Sequence, residues 1–164
     1  MEKPSLTKDS LSYLAGFLGN VGVTEKIPPE FDSKGFCSDF FRSIIKINRI
    51  ERGRISSSLS VKACLANKYG GLHGGSFASV AETMATDCAR TVLGDDDDKD
   101  VFLGELSISY LSAAPIDSDL IVEASVVKSG RNLTVILVEF KLKNSGKLSC
   151  LSRATFYNMP LAKL

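Results

Sequence analysis

Residues 67–86 read NKYGGLHGGSFASVAETMAT, and this stretch decides the fold. Four glycines, Gly70, Gly71, Gly74 and Gly75, fall within six residues. Directly after them Phe77, Val80, Ala81, Met84, Ala85, Cys88 and Val92 recur at the three- and four-residue spacing of one helical face. The segment therefore reads as a glycine turn feeding a long apolar helix over residues 75–93. Glycine lets the chain turn tightly and lets another molecule approach the backbone closely. The first turn of a helix also carries unpaired N–H groups and a partial positive charge. Together they form a seat for an anion, or for an oxygen that becomes negative during a reaction. The pattern G-x-x-x-x-G-K-[ST] is absent, which argues against a nucleotide phosphate loop.

Outward from this helix the period changes to two. Upstream, residues 43–52 (with Ile44, Ile45, Ile47 and Ile50) and 54–66 (with Ile55, Leu59, Val61 and Cys64) read as two strands about a hairpin turn at Arg52-Gly53-Arg54. Downstream, Gly94 and the acidic run Asp95–Asp98 end the helix in a solvated loop. Their spacing is not that of a calcium loop. Four further strands follow around Leu106–Tyr110, Leu120–Val126, Thr134–Leu142 and Leu148–Phe156. Turns at Ala114-Pro115, Ser129–Asn132 and Asn144–Lys147 separate them at hairpin distances. The order strand, strand, helix, then a four-strand meander is an α+β layout, an antiparallel six-stranded sheet curled around one long helix. Residues 6–20 add a short amphipathic helix, and residues 28–35 a turn-rich connector. The expected division is an N-terminal extension over residues 1–42 and one domain over residues 43–164.

The 164 residues suffice for one core, with 44% hydrophobic and 24% charged residues. The net charge of +1 argues against nucleic acid as a partner, and no apolar run reaches membrane-span length. Leu11–Leu18 is too short for a signal peptide. Four cysteines without a C-x-x-C pair read as buried, reduced thiols of an intracellular protein. The one histidine, His73, excludes a multi-histidine zinc site, so no metal is expected. Ala162-Lys163-Leu164 nearly matches the S-K-L peroxisomal address, which suggests a peroxisomal rather than a cytoplasmic location.

A second stripe runs along the helix. Gly75, Ser79, Glu82 and Thr86 stand at i, i+4, i+7 and i+11, on the face opposite the core. Glu82 and Thr86 are one turn apart, so the hydroxyl can hold the carboxylate. A glutamate there is ordinarily part of a wet helix face. The proximity of His73 and the glycine turn makes it a candidate for chemistry.

The pattern N-x5-H-G-G-x6-E-x3-T resembles the active-site segment of hotdog-fold acyl-CoA thioesterases, of the PaaI and 4-hydroxybenzoyl-CoA thioesterase type. The order of elements fits that fold over residues 43–157. The resemblance implies hydrolysis of an acyl-CoA to free acid and coenzyme A, with coenzyme A part of the substrate and no cofactor. It implies that the Gly74 N–H polarises the thioester carbonyl and that His73 orients the loop. Asn67 then positions substrate or water, Glu82 is general base or nucleophile, and Thr86 places its carboxylate. Gly75 and Glu82 are about 10 Å apart along the helix. In hotdog proteins two antiparallel helices meet at a two-fold axis, so Glu82 would serve the partner's Gly74 in a homodimer, or in a tetramer of such dimers. The resemblance also assigns Lys128, Ser129, Gly130, Arg131, Asn132 and Leu133 to a turn bordering coenzyme A. Tyr110, with Glu105 and Tyr157, is assigned to the substrate cleft. Where some relatives carry a serine, this chain has Leu103. Two alternatives stand beside hydrolysis: a non-catalytic acyl-CoA sensing module, and a hotdog dehydratase or hydratase.

Overall fold

The period-two runs fold as strands, and the sheet they form bends around the one long helix. A computed structural model describes Ser12, Gly16 and residues 29–93 and 99–160. Of the helix expected over residues 6–20, Ser12 and Gly16 are helical and the rest lies outside the described residues, as do residues 94–98 and 161–164. The chain divides into two compact units, Met1–Phe36 and Cys37–Leu164. In the first, a 3-10 turn over Pro29–Phe31 is closed by the Asp32 N–H donating to the Pro29 carbonyl, and the Phe31 and Phe36 rings lie 5.4 Å apart.

In the second unit the elements are helix α1 (Phe36–Ile44, from Cys37 on), β1 (Lys46–Glu51), β2 (Arg54–Ser60), helix α2 (Gly74–Leu93), β3 (Lys99–Tyr110), β4 (Asp119–Ser129), β5 (Leu133–Leu142) and β6 (Leu148–Pro160). The strands form one sheet in the order β1-β2-β4-β5-β6-β3, with antiparallel neighbours throughout. This is the hotdog layout that the resemblance implies.

The core follows from two periodicities meeting. Strand alternation turns Ile55 and Leu59, Leu120 and Val122, Ile136, Val138 and Phe140, and Ala154 and Phe156 to one face of the sheet. Helix periodicity turns Phe77, Val80, Ala81, Met84, Ala85, Cys88 and Ala89 toward them, all 4% exposed or less. Each large side chain removed from water contributes about 1.5–3 kcal/mol. The alanines at every fourth position of α2 let its backbone lie close to the sheet. Phe77 packs edge-on to Phe140, with centroids 5.1 Å apart.

Three boundaries differ from the sequence reading. Ser43 and Ile44 belong to α1 rather than to a strand, because Phe36, Phe40, Phe41 and Ile44 follow helical spacing, and Phe40, Phe41 and Ile44 pack against the core. β2 stops at Ser60 rather than continuing to Ala66: the chain turns into a 3-10 helix at Ala63–Leu65, and Ala66 bridges to Leu72. β3 starts at Lys99, well before its first alternating apolar residues, because it pairs with β6 along its whole length. The cysteine expectation holds for two of four. Cys88 and Cys150 are buried and burial pushes both thiols up to about 11, whereas Cys37 and Cys64 are exposed.

Candidate active site

The glycine turn leaves the core with its backbone almost fully committed. The His73 N–H donates to the Leu65 carbonyl (2.8 Å), the Leu72 N–H to Ala114 (2.8 Å), and the Asn67 N–H to Gly71 (2.8 Å). Gly70 sits at φ +76°, a left-handed conformation that side chains disfavour. The Asn67 side chain closes the same loop. Its Oδ1 accepts the Tyr69 N–H (2.9 Å) and the Gly71 N–H (3.3 Å), so its Nδ2 is what remains for a ligand.

His73 stands at the N-cap of α2. Its carbonyl accepts the Phe77 N–H (3.1 Å) and its Nδ1 accepts the Gly75 N–H (2.9 Å). An imidazole accepting at Nδ1 carries its proton on Nε2. From the other side, the Tyr110 hydroxyl at the end of β3 donates to the Gly74 carbonyl (3.0 Å). The peptide joining Gly74 to Gly75 is thus clamped at both its N–H and its C=O. Space is equally restricted: a Cβ on Gly74 would meet the Tyr110 ring at 3.4 Å, and one on Gly75 would meet His73 Nδ1 at 3.1 Å. Tyr110 is braced in turn by Phe77 (centroids 6.0 Å), which rests on Phe140 in the core.

The Gly74 N–H has no partner among the described residues. It belongs to the first turn of a 20-residue helix and borders a cleft of about 520 Å³ lined by Asn67, Gly71, Gly75, Phe77, Tyr110 and Ser112, among others. A fixed, unspent donor at a helix start, facing an open cleft, can stabilise negative charge developing on a substrate oxygen. Ser112, with Leu111 and Ala113, is a cleft residue that the sequence reading missed; only the return of β3 to the glycine turn identifies it.

Glu82 and Thr86 are not in this cleft. They line a second cavity of about 430 Å³ on the outward face of α2, where Glu82 is exposed and has no hydrogen-bond partner among the described residues. The hydrogen bond expected between Thr86 and Glu82 is not formed, while Thr83 and Ser79 donate to the carbonyls four residues back (2.9 and 3.1 Å). Asp87, in the same cavity, has its carboxyl pushed up by burial against the opposing pull of Arg90 and Arg42. Cys37, Ser38, Phe41 and Arg42 of α1 complete the lining; the helical spacing of Phe36, Phe40, Phe41 and Ile44 was the signal that could have found them.

The remaining candidates lie elsewhere. The Lys128–Leu133 turn joins β4 to β5 at the end of the sheet where α2 finishes. There the Gly53 N–H donates to Thr91 Oγ1 (2.8 Å) and the Val126 N–H to the Gly53 carbonyl (2.9 Å). Gly74 is at the other end of the 20-residue helix, about 30 Å away. The turn is rigid: Asn158 donates from Nδ2 to the Gly130 carbonyl (2.8 Å) and accepts from Thr134 Oγ1 (3.0 Å). Glu105 and Tyr157 occupy the outward side of β3 and β6. Glu105 pairs with Arg153 (3.6 Å), and the Tyr157 ring lies where a Cβ on Gly104 would stand. Leu103 faces the core side at the bulge before Glu105. Within the chain, then, Asn67, His73, Gly74, Gly75 and Tyr110 come together, Glu82 and Thr86 form a second group, and the turn residues, Glu105 and Tyr157 stand apart.

Among the described residues, no group of three or more His, Cys, Asp or Glu is placed to hold a metal ion, and no helix is long and apolar enough to cross a membrane. The family model "Thioesterase superfamily" matches residues 69–149. Human acyl-coenzyme A thioesterase 13 is 27% identical over 119 residues, covering 71% of this chain and 83% of that protein. A Caenorhabditis elegans protein, F42H10.6, that carries the name of an esterase is 29% identical over 111 residues; the match covers 68% of this chain but only 64% of the nematode protein, under two thirds of its length. The crystal structure of zebra fish thioesterase superfamily member 2 superposes with a TM-score of 0.69 at 25% identity, covering 93% of this chain and 99% of that one. Its glycine turn, its fold and these likenesses together support a hotdog-fold thioesterase, a hydrolase like the relatives it matches.

Proposed function

We propose that this protein hydrolyses acyl-CoA thioesters to a free acid and coenzyme A, and that it does so as a homodimer or a tetramer of dimers. The observation that carries this reading is the unspent Gly74 N–H at the start of α2, clamped in place by His73 and Tyr110 and open to a substrate-sized cleft. The name of the human relative supplies the coenzyme A part.

The thioester oxygen docks on the Gly74 N–H, which strengthens its hold as the carbonyl becomes an oxyanion. As general base, Glu82 takes a proton from water while the water oxygen bonds to the carbonyl carbon. The C–S bond then breaks, and the coenzyme A thiolate leaves to take up a proton. As nucleophile, Glu82 would instead bond to that carbon itself as the C–S bond breaks and the thiolate leaves, and water would then cleave the anhydride to the free acid and the Glu82 carboxylate. Asn67 Nδ2 orients the substrate or water, Thr86 borders the carboxylate, and Tyr110 is a positioning residue acting through Gly74.

Gly74 and Glu82 are eight residues apart on one straight helix, about 12 Å along its axis. One carbonyl carbon cannot reach both within a protomer. Antiparallel α2 helices across a two-fold axis set the Glu82 of one protomer against the Gly74 of its partner, and bring the far-end Lys128–Leu133 turn toward the partner's cleft, where Lys128 and Arg131 meet the phosphates of coenzyme A. No metal or other cofactor takes part. Ala162-Lys163-Leu164 is proposed as a peroxisomal address, read with an N-terminal fluorescent fusion with and without Leu164.

The test is thiol release from acetyl-, hexanoyl-, palmitoyl- and benzoyl-CoA by the purified protein. Turnover of at least one ester supports the reading. Binding of these esters without turnover overturns it in favour of a sensing module. A fully active monomer refutes the shared site.

A further inference from the structure

Helix α1 belongs to no part of the motif, yet it faces the same cavity as Glu82. Cys37, Ser38, Phe41 and Arg42 stand at i, i+1, i+4 and i+5, a single helical face, and all four line the cavity of about 430 Å³ into which Glu82 and Thr86 open. We infer that α1 is the specificity-determining wall of the acyl subsite, and that the groove between α1 and α2 receives the acyl group of the thioester.

The inference rests on the proposed hydrolysis and follows from its geometry. With the carbonyl carbon held between Glu82 and the Gly74 of the partner subunit, coenzyme A departs through the cleft beside that glycine. The acyl group must leave on the other side, along the outward face of α2 toward Asp87, and α1 borders that path. Phe41 is half-buried and packs against the core, so this wall is fixed in place. The chemistry changes along the groove. Near Glu82, the groove is lined by Phe41 and by Thr83 and Ser79, whose hydroxyls are spent on helix carbonyls. Five residues further, about 7.5 Å along the axis, Asp87 stands half-buried among Arg42 and Arg90, with Arg90 already paired to Asp100 (3.2 Å). A long saturated chain laid over that end would strip water from charged groups and return no hydrogen bond. A short acyl group, or one bearing a hydroxyl at its far end, fits both halves. The substrate class is therefore acyl-CoA of short to medium length, with a terminal oxygen tolerated or preferred.

The experiment narrows the groove from exposed positions that the fold does not need. Cys37→Trp and Ser38→Trp are compared with wild type on acetyl-CoA, hexanoyl-CoA, 6-hydroxyhexanoyl-CoA and palmitoyl-CoA, with circular dichroism and elution volume to verify the assembly. Lys147→Trp, on the exposed β5–β6 turn, is the control. In wild type, kcat/KM for 6-hydroxyhexanoyl-CoA is expected to equal or exceed that for hexanoyl-CoA, with palmitoyl-CoA lower. Each tryptophan should lower the hexanoyl-to-acetyl ratio by roughly tenfold, the scale on which a blocked pocket discriminates by chain length, while the control keeps the wild-type ratio. Folded Trp variants that turn over acetyl-CoA with an unchanged ratio overturn the inference and leave the hydrolase reading intact. A wild type that prefers palmitoyl-CoA overturns the substrate class. A wild type inert toward all four esters removes both readings.

Discussion

Replacing Tyr110 with phenylalanine removes one oxygen and leaves the ring that braces the glycine turn. In the wild type the Tyr110 hydroxyl donates to the Gly74 carbonyl at 3.0 Å, and the ring packs on Phe77 with centroids 6.0 Å apart. Phenylalanine keeps the second contact and loses the first. A neutral hydrogen bond of this kind contributes about 0.5–1.5 kcal/mol. Tyr110 is 58% exposed, so water can take over part of the role and the lower half of that range applies. If the bond serves mainly to hold the Gly74 N–H toward the oxyanion, its loss acts on the transition state, and kcat falls by about two- to fivefold at 1.36 kcal/mol per factor of ten. KM should stay within error, because the ring that lines the cleft is unchanged, and the melting temperature should move by little. The assay is steady-state thiol release on the best ester in the panel, with a thermal melt on the same samples. Tyr110→Ala is the companion variant: it strips the ring from Phe77 and should lower kcat and stability together. An unchanged kcat in Tyr110→Phe would refute the clamp, and a rise in KM alone would make Tyr110 a substrate contact instead.

Three further outcomes follow from the same geometry. Glu82→Ala should cost about 10²–10⁴ in kcat, the range for a lost general base, whereas His73→Ala removes an N-cap and about 0.5–2 kcal/mol of helix stability and should slow turnover less; steady-state rates in the reverse order would defeat the assignment. Burial raises the Asp87 pKa despite Arg90 and Arg42, so its contribution to stability is fully present below the unfolded value near 3.9 and is lost as pH rises through the raised folded value. Asp87→Asn has no such loss, so thermal melts from pH 3 to pH 7 should show the variant gaining on wild type as pH rises, and a constant difference would contradict the burial argument. A thiol reagent at pH 8 should label Cys37 and Cys64 promptly in the native protein and Cys88 and Cys150 only after unfolding, since the latter two are buried with thiols near 11; mass spectrometry of labelled peptides reads this directly.

The helix over 74–93 and the four strands after it were legible in the sequence because periodicity is a local property. Phe77, Val80, Ala81, Met84, Ala85 and Cys88 could not share a face in any other conformation, and all six are buried. The glycine turn was legible for the same reason, since close backbone approach needs glycine wherever the chain lies. Helix α1 was half legible: Phe36, Phe40, Phe41 and Ile44 carry helical spacing, but Ile44 and Ile45 also fit the start of a strand, and packing against the core decides between the two. β2 was overrun for a related reason: Val61 and Cys64 continue an alternation that the backbone abandons in order to turn toward Leu72.

For the site, the sequence by itself determined which groups are present: one histidine, one glycine-rich helix start, and a glutamate nine residues after that histidine. Tertiary structure decided what each is free to do. It spends the Asn67 carbonyl on its own loop, turns His73 Nδ1 onto the Gly75 N–H, and brings Tyr110 to Gly74 from 36 residues away. It separates Glu82 from the cleft, sets α1 along the cavity that Glu82 opens into, and carries the Lys128–Leu133 turn to the far end of the helix. Those facts depend on strand order and on neighbours distant along the chain, which spacing in a sequence does not encode. Residue types and their periods are written locally, but which hydrogen bonds remain unspent is settled only when the sheet closes around the helix.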